Sequence, residues 1–235
     1  MTGGPVLAAD GIRRRFAGVT AVDDFSLSLP QGEIHGLIGP NGAGKTTVFN
    51  LLTGLLRPSA GRISLLGRDV SRWSADRRAR AGLGRVFQRT QLFATLNVAE
   101  HLALVDPAGR GQTWLEALGL QGFRSALPAE LPHGIARKVE LAAVLATGSP
   151  VLLLDEPAAG LTEEERQDLA LLLRAAREQG RTLLVVEHDL EWTLSLVDRL
   201  TVLEGGRTIA SGDPGAVARD ARVRVAYLGE EGAPS

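Results

Sequence analysis

Short apolar runs alternate along the 235 residues with stretches of helical period, the rhythm of an α/β chain. Positions 6–9, continuing through Ile12, and 25–29, with alternating apolar residues, read as strands flanking the polar stretch 18–24; together they predict an antiparallel β edge. Positions 33–38 are apolar enough for a buried strand, and 46–56 carries apolar residues at helical spacing. A short strand over 62–66 closed by Gly67, an Arg-rich helix over 74–81 begun by Ser74, and a strand over 84–87 come next. From 97 to 120 the period is helical, with Val98, Leu102 and Val105, then Trp114, Leu115, Leu118 and Leu120, broken by the Pro- and Gly-bearing segment 106–111. A further helix is predicted from about 135 to 146. Strand signals are sparse between Leu92 and Thr147, which predicts a helical insertion into the α/β core.

The runs 151–154 and 182–186 have no polar alternation, as expected of parallel strands covered on both faces. Between them 163–179 is amphipathic, with Thr162 at its start. A helix over 189–197, a hairpin pairing 199–203 with 207–211 across Glu204, Gly205 and Gly206, and two short helices within 216–228 complete the reading.

One segment gives this pattern chemical meaning. Gly39, Pro40, Asn41, Gly42, Ala43, Gly44, Lys45, Thr46 and Thr47 have the spacing GxxxxGK(S/T) of a phosphate-binding loop, in the strand, loop, helix context that the motif requires. Three glycines let backbone N–H groups turn toward an anion, and the following helix points its positive end at the same place. Lysine occurs only at positions 45 and 138 in a chain that otherwise uses arginine, so its presence in the loop is not compositional drift. A compact ammonium suits the β and γ phosphates, and the Thr46 hydroxyl suits magnesium.

Asp155 and Glu156 emerge from the run 151–154 at the carboxyl edge, where doubly wound sheets place ligands. Asp155 is then the expected partner of magnesium, and Glu156 is placed to polarise an attacking water. Gln88 ends its strand at the same edge, either as a ligand of magnesium or water or as a solvated loop residue. His188 follows 182–186 and either donates to the γ phosphate or serves as a structural hydrogen-bonder. Phe16 is an adenine-stacking ring or plain core. The helix near 135 offers a further potential anion site at its N-terminus.

Composition narrows the class. A formal net charge of −1 gives no support to a nucleic-acid-binding surface. The chain has no cysteine, hence neither disulfides nor a thiolate site. Arg13, Arg14 and Arg15 interrupt any leader-like apolar stretch near the start, and no run approaches the roughly 18 apolar residues of a membrane span.

In order, the loop 39–47, the segment Val86-Phe87-Gln88, the strand ending at Asp155-Glu156 and His188 resemble the nucleotide-binding subunit of ABC transporters over nearly the whole chain. The branched-chain amino-acid branch is suggested by 16–22, 82–85, 157–161, 186–189 and 226–229. The resemblance implies one ABC ATPase unit: a P-loop NTPase core with a mostly parallel sheet and an antiparallel β edge (6–88 and 148–212), a helical subdomain (about 89–147) and a tail (213–235). It implies ATP and Mg²⁺ as ligands, with Phe16 and Val22 at the nucleotide, residues 39–47 around the phosphates, Thr46, Gln88 and Asp155 toward magnesium, Glu156 as base, and His188, Gln88 and Lys45 as its catalytic companions.

It further implies transmembrane permease partners engaged near Gln88, a solute-binding protein acting indirectly, and a cytoplasmic chain held at the inner face of the membrane. The expected solute is a branched-chain or other amino acid. Another system, moving urea or exporting lipid or lipopolysaccharide, is the alternative, as is a regulatory nucleotide-binding subunit. A soluble ABC ATPase acting in DNA repair or translation lacks the long arms, tandem cassettes or basic surface it would need.

One motif departs from the family. The signature, LSGGQ or in this branch LPYGQ or LSYGQ, is here Leu131, Pro132, His133, Gly134 and Ile135. Pro132 removes a hydroxyl and an N–H donor, and Ile135 removes an amide side chain, while Gly134 and the helix dipole remain. Because each signature serves ATP bound by the opposite subunit, a heterodimer with a second ABC ATPase is expected over a homodimer. The helical insertion also looks shorter than is usual in this branch.

Overall fold

The computed structural model describes residues 4–87, 91–106, 109 and 111–228. Two strands, β1 (Leu7–Phe16) and β2 (Val19–Leu29), form a hairpin that joins β4 (Ala60–Leu65) and β5 (Arg68–Asp69) in an antiparallel sheet of order β2-β1-β4-β5. The polar stretch 18–24 is thus mostly strand, not the connection. The turn is Ala17-Gly18, with φ of 39° and 91°, and Asp24 at φ 58° sits at a register shift that turns polar side chains outward.

The second sheet has the order β10-β9-β3-β8-β7-β6, from β3 (Ile34–Ile38), β6 (Leu83–Val86), β7 (Val151–Asp155), β8 (Thr182–Val186), β9 (Arg199–Glu204) and β10 (Arg207–Gly212). All its neighbours are parallel except the β9–β10 hairpin. Strand alternation sorts the core into two. Ile34, Ile38, Leu152, Leu154, Leu183 and Val185 face one side, packing on helices α3 (Val98–Val105), α4 (Gly111–Ala117), α5 (His133–Ala146), α6 (Glu163–Glu178) and α7 (Leu190–Leu196). Leu37, Val151, Leu153, Leu184 and Val186 face the other, packing on α1 (Lys45–Thr53) and the antiparallel sheet. A run with no polar alternation is what two covered faces demand.

Local signals set the helix ends. Thr162 and Glu165 form a capping box at the start of α6, Asn97 and Glu100 another at α3, and Asp189 accepts the Trp192 N–H to begin α7. The helix expected from about 135 begins two residues earlier, because the Pro132 carbonyl already accepts the Ala136 N–H at 2.9 Å. The short α2 (Ala75–Arg80) carries Arg78, fully buried, whose guanidinium donates to the carbonyls of Leu51 and Leu52 at the end of α1 and to Val70. The chain closes on α8 (Pro214–Ala218) and α9 (Ala221–Leu228). No helix among the described residues is long and apolar enough to cross a membrane.

Candidate active site

Register brings the site together. Leu37 of β3 pairs with Val186 of β8, Val186 with Asp155 of β7, and Leu154 with Val86 of β6. The carboxyl ends of these strands therefore stand side by side, and the segments that follow β3, β7 and β8 leave from one edge. Gln88, which follows β6, lies outside the described residues.

After β3 the loop 39–47 folds back to open α1 at Lys45. Gly44 takes φ 104°, and a Cβ there would meet the Ala21 carbonyl at 2.5 Å, so only glycine allows β2 to pass this close. On its outer side the loop is braced by the β9–β10 turn: Gly206 donates to the Ala43 carbonyl at 2.9 Å, and its own carbonyl accepts the Asp23 N–H. Asn41, Gly42 and Thr46 are exposed, whereas Gly39, Ala43 and Lys45 are buried and Pro40, Gly44 and Thr47 are half-buried. The Lys45 ammonium donates to the carbonyls of Gly39 (2.5 Å) and Pro40 (3.1 Å). Burial lowers its pKa, and the charges of Glu156, Asp155 and Glu187 oppose that shift.

Asp155 ends β7 as a buried carboxyl whose pKa rises to about 6, driven by burial and then by the Glu156 charge, against the pull of Arg137 and Lys45. Glu156 turns into the left-handed region at φ 45°, with its N–H on the Val186 carbonyl at 2.9 Å. That turn lifts its side chain away from the strand direction. His188 Nδ1 stands 3.8 Å from Glu156 Oε2 and equally far from Glu187 Oε2, with the imidazole more than half exposed. Glu187 is buried and accepts the Ala158 N–H at 3.1 Å, linking the exit of β8 to the segment that follows Glu156. Burial raises its pKa.

Phe16 is 41% exposed at the end of β1, with the Arg14 guanidinium 4.8 Å from its ring centre. Val22 is fully buried in the core with Ala43 and Leu203, so it supports the loop from beneath and presents no surface to a ligand. Gly134 lies in the first turn of α5, where the Glu165 carboxylate occupies the space a Cβ would need. His133 lies against Gly160. The signature segment thus packs on the start of α6 and the stretch before it.

Two side chains here have no place in the motif reading. Glu187 was visible only as an acid beside His188. Arg137 is buried on the core face of α5, and its guanidinium reaches the Asp155, Glu156 and Pro157 carbonyls. The available signal was a lone arginine within a helix whose neighbouring stripe is apolar.

Chemically, the edge holds one ammonium, a helix N-terminus, an exposed threonine hydroxyl and two adjoining carboxylates. Among the described residues no group of three or more His, Asp or Glu is arranged to hold a metal by itself. A hard cation here would therefore share its coordination between protein oxygens, substrate phosphate and water, the habit of magnesium, and the Asp155 carboxylate and Thr46 hydroxyl fit that donor set.

Comparison with known proteins agrees with this chemistry. The ABC transporter family model matches residues 22–159, and the model described as branched-chain amino acid ATP-binding cassette transporter matches 207–233. The chain is 37% identical to the high-affinity branched-chain amino acid transport ATP-binding protein LivG of Salmonella typhimurium, covering 96% of this chain and 98% of LivG. It is 35% identical to BraF of Pseudomonas aeruginosa, an ATP-binding protein of the same description, over the same shares. Its fold superposes on the ADP conformation of MJ1267, an ATP-binding cassette of an ABC transporter, with a TM-score of 0.87 at 27% identity, covering 95% of this chain and 98% of the other. The chain belongs to the ATP-binding, ATP-hydrolysing proteins of ABC transporters, in the branch that holds LivG and BraF.

Proposed function

We propose that this chain energises import of branched-chain or chemically related amino acids by hydrolysing ATP at the edge formed by β3, β7 and β8. The observation that carries the reading is the register that sets Lys45, Asp155, Glu156 and His188 at one edge. The solute assignment rests on the family model over the tail and on the named activity of the LivG and BraF relatives. Loop amides of 39–47 and the α1 N-terminus bind the phosphates, and Lys45 leaves its two carbonyls for phosphate oxygens. Phe16 stacks on the adenine. Thr46 and Asp155, with Gln88, would hold magnesium, which would supply positive charge against the phosphates. Glu156 takes the proton of the attacking water, and His188 donates to the γ phosphate. Permease subunits tether the chain to the inner face of the membrane.

The Glu156→Gln variant is expected to hydrolyse ATP roughly 10²- to 10⁴-fold more slowly, the worth of a positioned general base, while binding ATP as before. Unchanged turnover would remove Glu156 from that role.

Ile135, where the branch's LPYGQ and LSYGQ both carry glutamine, favours a heterodimer. In head-to-tail pairing this chain's loop works with its partner's signature, so the altered segment weakens only the partner's ATP site. If the purified chain alone dimerises with ATP and turns over at the rate of the assembled transporter, heterodimer formation is not required and this reading is wrong.

A further inference from the structure

Arg137 is 2% exposed, and its donors are shared among five acceptors. Its Nη2 donates to the carbonyls of Asp155 (3.1 Å) and Glu156 (2.9 Å), and its Nε to Pro157 (3.2 Å). Its Nη1 donates to the Phe87 carbonyl (2.5 Å) and to Glu140 Oε2 (2.8 Å). Glu140, nearly one turn further along α5 and also buried, accepts the Gln91 N–H on Oε1 at 3.4 Å. The pair therefore grips the residue before and the residue after 88–90 and, at the same time, the last carbonyl of β7 and the two that follow it.

The Glu156 contact is specific in its geometry. Glu156 is one of few non-glycine residues with positive φ, and the carbonyls of the peptides on either side of its Cα both accept from the same Arg137 nitrogen. Fixing both peptide planes fixes φ and ψ between them, and so the direction of the side chain. Left-handed backbone at a non-glycine residue persists only where surroundings enforce it. Stability alone does not account for the pair, since a buried arginine–glutamate couple gains little over apolar residues of the same size. Only a planar guanidinium offers donors in a fork wide enough to span these acceptors.

We propose that Arg137, braced by Glu140, is a positioning residue for hydrolysis: it holds the left-handed backbone of Glu156 and ties it to both ends of the segment 88–90. Movement of Phe87 or Gln91 then changes the aim of the Glu156 carboxylate without a change in the phosphate loop. The proposal rests on Glu156 acting as the base.

The test measures Mg-ATP hydrolysis by the chain assembled in its transporter, for wild type, Arg137→Lys, Glu140→Gln, Glu156→Gln and the double variant Arg137→Lys/Glu156→Gln. Arg137→Lys keeps the charge but cannot span the five acceptors, so kcat is expected to fall about 10- to 100-fold, the cost of sub-ångström to ångström misplacement, with KM within about twofold. Glu140→Gln, which is isosteric, is expected to lower kcat about 3- to 10-fold at unchanged KM, and it decides the matter if Arg137→Lys does not fold. In the Glu156→Gln background, Arg137→Lys should cost less than about twofold, because the group it aims is already disabled.

A kcat within twofold of wild type for Arg137→Lys, or a loss confined to KM and thermal midpoint, overturns the proposal. So does a loss of full size in the double variant. An inactive Glu156→Gln beside a fully active Arg137→Lys overturns the positioning role alone, whereas full activity of Glu156→Gln overturns the base assignment and the route through it.

Discussion

Replacing Asp155 by asparagine is expected to make the ligand-free protein more stable and the nucleotide-bound protein less so. The carboxyl is buried at the end of β7 beside Glu156, and its pKa stands at about 6 against an ordinary value of 3.8. A shift of about 2 units corresponds to about 3 kcal/mol, and solvent reaching the strand edge brings the expected gain to about 1–3 kcal/mol. The sign follows from linkage. A carboxyl with a raised folded pKa favours the fold when protonated, so wild-type stability is highest below about pH 4, falls as pH rises through about 6, and stays low above it. Asparagine mimics the neutral form at every pH. The gap in melting temperature should open between about pH 4 and 6 and reach about 3–10 °C at pH 7.5, for a chain of this size. Scanning calorimetry of both proteins from pH 4.5 to 8 without nucleotide measures it. With Mg-ATP the order should reverse, because only the carboxylate gains a cation and binding stabilises the folded state by mass action. A variant that melts at or below wild type at pH 7.5 without ligand, or a gap that does not change with pH, would falsify the assignment of Asp155 as a buried carboxyl whose charge costs the ligand-free fold stability.

Gly44→Ala places a methyl at φ 104° against the Ala21 carbonyl, so ATP binding by equilibrium titration should fall at least tenfold, with a melting temperature several degrees lower. Binding within twofold of wild type would show that β2 can retreat from the loop. Phe16→Ala removes a partly exposed ring outside the main core, and is expected to weaken ATP about 5- to 30-fold, in line with about 1–2 kcal/mol of stacking, while the melting temperature stays within about 2 °C. An unchanged affinity there would assign the ring to contacts other than adenine.

Most of the architecture was legible because the signals are local. The runs 151–154 and 182–186, lacking polar alternation, specified strands covered on both faces, and the glycine spacing at 39–47 specified the turn into α1. The β1–β2 hairpin was less legible: its strand face between 19 and 24 is polar because one side of that ribbon faces solvent, and its register is interrupted by Asp24. Val22 illustrates the complementary limit. The resemblance implies a nucleotide contact at Val22, yet strand alternation turns its side chain inward, away from the exposed face. Arg137 and Glu187 escaped because a buried charge is justified only by hydrogen-bond partners contributed by segments distant in sequence, here carbonyls at the ends of β6 and β7 that accept from Arg137 and the Ala158 N–H that donates to Glu187. Such residues appear in sequence only as polar interruptions of an apolar face, and the partners that justify them are set by register.

The charges at the edge also bear on the dimer proposed above. Lys45 is its one ammonium, and it faces Asp155, Glu156 and Glu187, three acids whose combined field already works to keep it charged despite burial. Arg137 brings a second cation close, but its donors are committed to carbonyls and to Glu140. A triphosphate entering beside these acids meets the partial positive charge of the α1 N-terminus, the loop amides and a Lys45 ammonium that must first leave the Gly39 and Pro40 carbonyls. Repulsion between phosphate and Asp155 or Glu156 must be relieved from outside the chain. Under the proposed function a divalent cation held by Thr46 and Asp155 would supply part of that relief, and a helix N-terminus presented by a second subunit would supply the rest on the open side of the γ phosphate. Both contributions would arrive with binding, so in the proposed dimer the Glu156 carboxylate would face a weakly held nucleotide until closure. The proposed function would thereby tie hydrolysis to closure by electrostatics, and the altered segment 131–135 would shift that dependence onto whichever subunit supplies the intact signature.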